Sequence, residues 1–257
     1  MLIDSHCHLD HFSHEEQAEI VARAERAGVA RMVTIGVRLH QAPVQKAIAE
    51  RFPQVWCTVG VHPHQADEGE MPTVDDIVAT ADHPRVIGIG ESGLDYFYDK
   101  SPRDVQREGF RRHIRAARVA GLPLCIHARE ADEDVATILA EEHAAGGPFA
   151  FLLHCFSSGR GLAEAALALG GTISFSGILT FPRSEGLRAI AADVPMDRLL
   201  VETDSPFLAP APLRGKRCEP AYTVHTARVL AGVKGVTEAE IAAATTANFH
   251  RLYPKAL

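Results

Sequence analysis

Histidines and carboxylates recur in this sequence in a pattern that suits metal chemistry. Asp4-Ser5-His6-Cys7-His8 places two imidazoles two residues apart, and His62-Pro63-His64 repeats the spacing. On a strand side chains alternate between faces, so His6 and His8 would point the same way, roughly 6–7 Å apart. That spacing suits two imidazoles on one ion. The sequence holds 14 His in 257 residues, so chance alone supplies about 0.8 such pairs, and the motif gains weight only from its company. That company is Glu91, His127, His154 and Asp204. Imidazole and carboxylate without thiolate suit zinc, manganese or magnesium. Two such ions about 3.5–4 Å apart can clamp the attacking and leaving oxygens of a displacement, and one bridging carboxylate would hold that separation. Glu91, central among the candidates, is the natural bridge. Glu202 and Asp204 share strand parity. Asp204 is favoured because it lies nearer the strand end, as a ligand and as acceptor of the proton from metal-activated water.

The elements that must position these residues follow one repeating unit, a short apolar run and then an amphipathic helix. Apolar runs are read at about 2–8, 29–37, 55–61, 86–90, 123–126, 149–153, 171–175 and 199–202. Helices are read between them, among them 14–27 with a Ser13/Glu16 capping box, 103–120 closed by Gly121, and a final helix capped by Thr237 and Glu240. Inner faces are assigned to Val44, Ala47 and Ile48, to Phe110, Ile114 and Ala117, and to Val135, Ile138 and Leu139. Leu94 to Pro102 reads as a long loop. Continuous apolar strands alternating with helices imply a parallel sheet covered on its faces. Eight units in roughly 250 residues fit an α/β fold of the (β/α)8 TIM-barrel type, one domain over 1–257. A doubly wound open sheet would carry a Gly-rich loop after its first strand, where Asp4 to Asp10 stand instead.

In such barrels the site lies at the C-terminal ends of the strands. His6 and His8, His62 and His64, Glu91, His127, His154 and Asp204 all fall there. His11, His14, His40, His83, His113, His143, His225 and His250 fall in helices or loops and read as surface residues. By the same alternation Cys7 points away from the pocket toward the helices.

A net charge of −7, from 26 basic and 33 acidic residues, is not that of a protein that coats nucleic acid through its phosphates. A nuclease remains open, because ions can carry the positive charge at a scissile phosphate. Five scattered cysteines without a Cys-x-x-Cys pair argue against a zinc ribbon or redox pair and suit a reducing compartment. No apolar run nears the ~20 residues of a bilayer span and the start lacks a leader pattern, so a cytoplasmic location without membrane contact is expected.

Several stretches in order carry a family resemblance. They are Asp4-Ser5-His6-Cys7-His8-Leu9-Asp10, Gly60-Val61-His62-Pro63-His64 and Gly90-Glu91-Ser92-Gly93-Leu94-Asp95-Tyr96. Then come Ile126-His127-Ala128-Arg129-Glu130, Leu153-His154-Cys155-Phe156-Ser157, Val201-Glu202-Thr203-Asp204-Ser205-Pro206, Glu219-Pro220-Ala221-Tyr222 and Thr245-Thr246-Ala247-Asn248. Over essentially its whole length the chain resembles the TatD family of metal-dependent deoxyribonucleases, within the amidohydrolase-like barrel superfamily. The resemblance implies one divalent ion on His6, His8, Glu91 and Asp204, and a second on Glu91, His127 and His154. It places His62 and His64 on the substrate side. It implies DNA as substrate, single-stranded or at ends, degraded 3′-to-5′. Ser158 and Cys218 depart from the family pattern and touch no implied ligand. No lysine ends the fourth run, so a carbamylated-lysine bridge is not expected.

The leading expectation is therefore phosphodiester hydrolysis at a binuclear site with Glu91 and Asp204 as catalytic residues, by a chain expected to act as a monomer. Arg129, with Arg160, Arg183, Lys216 and Arg217, could hold flanking phosphates, and Tyr96, Phe97, Phe156 and Phe181 could stack bases. One alternative uses the same centre on a small amide, lactone or ester. Another, from a different class, is a metal-binding partner protein without turnover.

Overall fold

The computed structural model describes residues 1–256. Strands and helices alternate: β1 (Leu2–Cys7), α1 (His14–Arg26), β2 (Val29–Thr34), α2 (Ala42–Arg51), β3 (Val55–Val59), α3 (Val74–Ala81), β4 (Val86–Asp95) and α4 (Arg103–Ala120). They continue with β5 (Leu124–Arg129), α5 (Asp132–Gly146), β6 (Phe151–Leu153), α6 (Arg160–Ala168), β7 (Thr172–Phe175), α7 (Glu185–Asp193), β8 (Leu199–Val201), α8 (Thr223–Lys234) and α9 (Glu238–Leu252). The eight strands pair in chain order, every neighbouring pair parallel. A parallel bridge between Cys7 and Ser205, just past β8, brings the last strand back to the first. The chain is a (β/α)8 barrel.

The helices start where the side chains supply caps. Ser13 and Glu16 exchange hydrogen bonds at α1, Thr73 and Asp76 at α3, and Thr237 and Glu240 at α9, each pair satisfying amides that have no partner inside the helix. Gly121 ends α4 in the left-handed conformation that a Cβ would disfavour. The apolar core forms two layers. Phe110, Ile114, Val135, Ile138 and Leu139 pack between helices and strands, as expected, and Cys7 lies in that layer too. Inside the barrel, Ile3, Val33, Ile87 and Leu200 meet Phe249, Leu252 and Tyr253 from the end of α9, which fills the N-terminal end of the barrel.

Three expectations need correcting. In α2 the buried residues are Ala42, Gln45, Ile48 and Ala49, while Val44 and Ala47 face solvent. Gln45 turns inward because its side-chain amide donates to the Ile35 carbonyl at the end of β2. The loop expected from Leu94 starts later, because β4 pairs with β5 as far as Asp95. His113 is not a surface residue: it is fully buried in α4. Its Nδ1–H donates to Gly109 O, and its Nε2 accepts the Val61 N–H at 3.0 Å, bracing the chain next to His62. Burial lowers its pKa to about 4, which keeps the ring neutral.

Candidate metal centre

Two irregularities in the sheet aim the candidate ligands. Register slips between Asp4 and Cys7 on β1. That slip matters, because strict alternation from the inward Ile3 would turn His6 out toward the helices. After it, His6 and His8 look into the barrel mouth. A second slip falls on β4 between Ile89 and Ser92, around Glu91. There Gly90 has φ +111°, and a Cβ on it would stand 2.6 Å from Cys125 O, so only glycine lets β4 press this close to β5. The Glu91 amide is turned to Gly36 O at 2.9 Å. Asp204 is placed from the other edge of the barrel. Its N–H donates to His6 O, the His8 N–H donates to Ser205 O, and Asp204 itself sits at φ +57°, a conformation Asp tolerates better than most residues.

The structure brings His6, His8, Glu91, His127, His154 and Asp204 together. Glu91 is buried and divides its two oxygens. Oε2 lies 3.4 Å from His6 Nε2 and 3.9 Å from His8 Nε2, and Asp204 Oδ1 lies 3.6 and 3.3 Å from the same two nitrogens. Oε1 lies 2.8 Å from His154 Nε2, 3.0 Å from His127 Nδ1 and 3.3 Å from His62 Nε2. His6 Nε2 and His8 Nε2 are 3.3 Å apart, and His127 Nδ1 and His154 Nε2 are 3.4 Å apart.

These separations test whether a metal fits. Tetrahedral corners with edges of 3.3–3.9 Å lie about 2.0–2.4 Å from their centre, at and slightly beyond the roughly 2.0–2.2 Å bonds of zinc to nitrogen or oxygen. The electrostatics agree. Burial opposes charge on Glu91, yet His154 and His62 hold its carboxyl well below the usual range. Burial likewise opposes charge on Asp204, which hydrogen bonding to His8 keeps low. Burial would discharge His8, but Asp204 and Glu91 push it up to about 9. The pocket thus calls for positive charge, and no lysine or arginine side chain is among these contacts. The donor set fits divalent cations.

The outward nitrogens decide which lone pairs face in. His127 Nε2 lies 3.0 Å from Asp95 Oδ2, and His154 Nδ1 lies 3.3 Å from Glu202 Oε1. A neutral ring that donates to those carboxylates presents its other nitrogen bare toward Glu91, the arrangement in which a second carboxylate orients a ligating histidine. His62 differs. Its Nδ1 accepts the His64 N–H at 3.0 Å, so its proton sits on Nε2 and points at Glu91. Burial lowers its pKa to about 4, so the ring stays neutral. His64 Nε2 meets Asp95 Oδ2 at 2.8 Å.

Asp95 was overlooked as a site residue, although its parity with Glu91 was visible: four residues apart on one strand share a face. It also accepts the Phe97 and Tyr98 amides, and together its partners hold its carboxyl far below the usual range despite burial. Glu202, passed over for Asp204, stands fully buried behind His154.

Arg129 does not touch this cluster. Its guanidinium lies over Phe97 and Tyr98, beside a cavity of 720 Å³ that Tyr96, Phe97 and Ser157 also line. Among the other cations, Arg160 pairs with Asp193 and Arg217 with Glu16. Phe156 is buried in the core and offers no face to a base, a second correction to the expected rim.

A histidine and carboxylate cluster of this kind at the C-terminal rim of a (β/α)8 barrel is the constellation of a metal-dependent hydrolase. Comparison with known proteins agrees. The family described as TatD related DNase matches residues 3–254. The chain is 38% identical to a metal-dependent hydrolase of Bacillus subtilis, YabD, over 98% of this chain and 99% of that one. It is 34% identical to the 3′-5′ ssDNA/RNA exonuclease TatD of Citrobacter rodentium, over 93% and 92% of the two chains. The crystal structure of YjjV, a TatD homologue from Escherichia coli K12, superposes with a TM-score of 0.90 at 25% identity, covering 98% of each chain. The chain belongs to the TatD family of metal-dependent hydrolases.

Proposed function

We propose that this protein removes nucleotides from the 3′ ends of DNA, single-stranded or frayed, by hydrolysing phosphodiester bonds at two divalent ions. The observation that carries this reading is the division of Glu91, whose oxygens each serve a separate histidine cluster. His6, His8, Asp204 and Glu91 Oε2 would hold one ion, and His127, His154 and Glu91 Oε1 the other. Magnesium, manganese or zinc suits this set. Bound there, the ions would supply Lewis acidity to the phosphate and lower the pKa of water toward about 7.

The residues do the rest. Asp204 is ionised and is the more exposed of the two clustered carboxylates, 16% against 3% for Glu91, so it can take the proton of the attacking water and pass it to solvent. His62 stays neutral, its Nε2–H directed at Glu91 Oε1, and lines the substrate side of the centre. His64, fixed by Asp95, lines the same side, and Arg129 reaches a flanking phosphate. The name carried by the Citrobacter relative supports the substrate and the polarity.

The test is elemental analysis of the purified protein with an assay on 5′-labelled oligonucleotides, manganese or magnesium added. Stepwise shortening from the 3′ end is expected, and Asp204→Asn should abolish it while the barrel stays folded. Turnover of esters or lactones with DNA left intact would replace this substrate and keep the centre.

A further inference from the structure

Only three aromatic side chains among the described residues are about half exposed: Phe97 at 50%, Tyr98 at 51% and Phe207 at 49%. All three stand at the rim that carries the metal centre, Phe97 and Tyr98 just past β4 and Phe207 just past β8. Large apolar faces left in water at a site are informative where scattered ones are not.

They flank the centre on different sides. The Phe207 ring lies 6.2 Å from His8 and 5.6 Å from His11, next to the cluster of His6, His8 and Asp204. The Tyr98 ring lies 5.3 Å from His64, and the Phe97 and Tyr98 rings meet edge to face at 4.9 Å. Asp95 holds this second pair in register with the other cluster, because the carboxylate that receives His127 also accepts the Phe97 and Tyr98 amides. Arg129 backs the pair, its guanidinium 4.3 Å from the Phe97 ring centre and 4.8 Å from that of Tyr98. Phe207, His8, Glu91, His127, Asp95, His64 and Tyr98 thus form one chain of neighbours across the rim.

We propose that Phe207 on one side and the Phe97–Tyr98 pair on the other are stacking faces for the bases that flank the bond to be cut. The proposal rests on the phosphodiesterase reading and narrows its substrate. A base can lie on these rings only when it has left its own stack, so the strand must arrive single-stranded. Every base offers a π face, so recognition is tolerant of sequence. The net charge of −7 agrees, since an acidic protein gains little from a long phosphate track and must grip a few nucleotides by other means.

The test is binding without turnover. Fluorescently labelled oligodeoxythymidylate with phosphorothioate linkages at its 3′ end, which resist hydrolysis, is titrated by anisotropy with the manganese-loaded protein. Wild type should bind it about 100-fold more tightly than an oligonucleotide of equal length whose 3′ positions are abasic, and more tightly than a blunt duplex. Phe207→Leu and the double variant Phe97→Leu/Tyr98→Leu should each lose about 10-fold for the intact strand and nothing for the abasic one. Phe207→Trp should restore affinity, which a merely structural role would not predict. Leucine variants that bind like wild type, equal affinity for abasic and intact strands, or no binding at all would each overturn the proposal. Failure of the hydrolytic reading looks different: the phosphorothioate strand is bound with this discrimination, yet the unmodified strand is never shortened.

Discussion

Around His127 and His154, each imidazole nitrogen that faces away from Glu91 meets a carboxylate, Asp95 at 3.0 Å and Glu202 at 3.3 Å. Around His6 and His8 the corresponding nitrogens meet much less. His6 Nδ1 lies 3.3 Å from the Cys125 thiol, and the buried His8 Nδ1 has no protein partner. The two halves share Glu91 and are braced by opposite means. One holds its imidazoles in orientation from behind, through carboxylates beside their outer nitrogens. The other sets a second charged side chain, Asp204, against its imidazoles, delivered from the far edge of the barrel. The difference teaches that the inward-facing atoms alone do not describe the cluster, because similar inward faces stand on unlike supports.

Glu91→Gln should break the comparison by removing what the halves share. Ion content should fall in both pockets and oligonucleotide turnover should drop by more than about 100-fold, the upper range already seen for removal of mere supporting partners. Elemental analysis with single-turnover kinetics checks this, and a variant that keeps two ions would show that Glu91 does not join the halves. Asp95→Asn and Glu202→Gln should sharpen it, weakening the His127/His154 pocket about 10- to 100-fold and sparing the other, as read by competition with a calibrated chelator. Equal losses in both pockets would erase the contrast. Smallest is Cys125→Ala, because a thiol is a weak partner for His6: a change of a few-fold in the first pocket is expected. Cys7→Ala, one strand-face away, should leave the ion content unaltered.

Much of this was legible because a barrel sends its strand ends to one rim. The positions of His6, His8, Glu91, His127, His154 and Asp204 at the ends of apolar runs could be read without coordinates. What was hidden depended on parity and on packing between distant elements. The slip on β1 and the slip around Glu91 reset which residues face inward, and β4 continues to Asp95, so the carboxylate that supports His127 stands on a strand where the sequence reads as loop. Glu202 shares parity with Asp204, and only burial separates their roles. His113 looks like a surface histidine on a helix, and its role depends on the Val61 amide, 52 residues away. Val44 reads as inward on apolarity alone, whereas the buried position belongs to Gln45, whose side-chain amide reaches the Ile35 carbonyl while its oxygen finds no protein partner.

Asp4 and Thr203, 199 residues apart, clasp the two edges of the barrel: Thr203 donates to Asp4 from its amide at 2.9 Å and from its hydroxyl at 2.6 Å. His6 and His8 ride on one edge and Asp204 on the other, so the pocket they form exists only once the first and last strands have met. Contacts that distant are costly in chain entropy and slow the closing of the barrel. An ion seated there recognises a finished barrel and no earlier species. It would stabilise that state by about 2.7 kcal/mol at a hundred times its dissociation constant. With ions bound there, the supply of metal would set how much of the chain is kept closed as well as how fast it works.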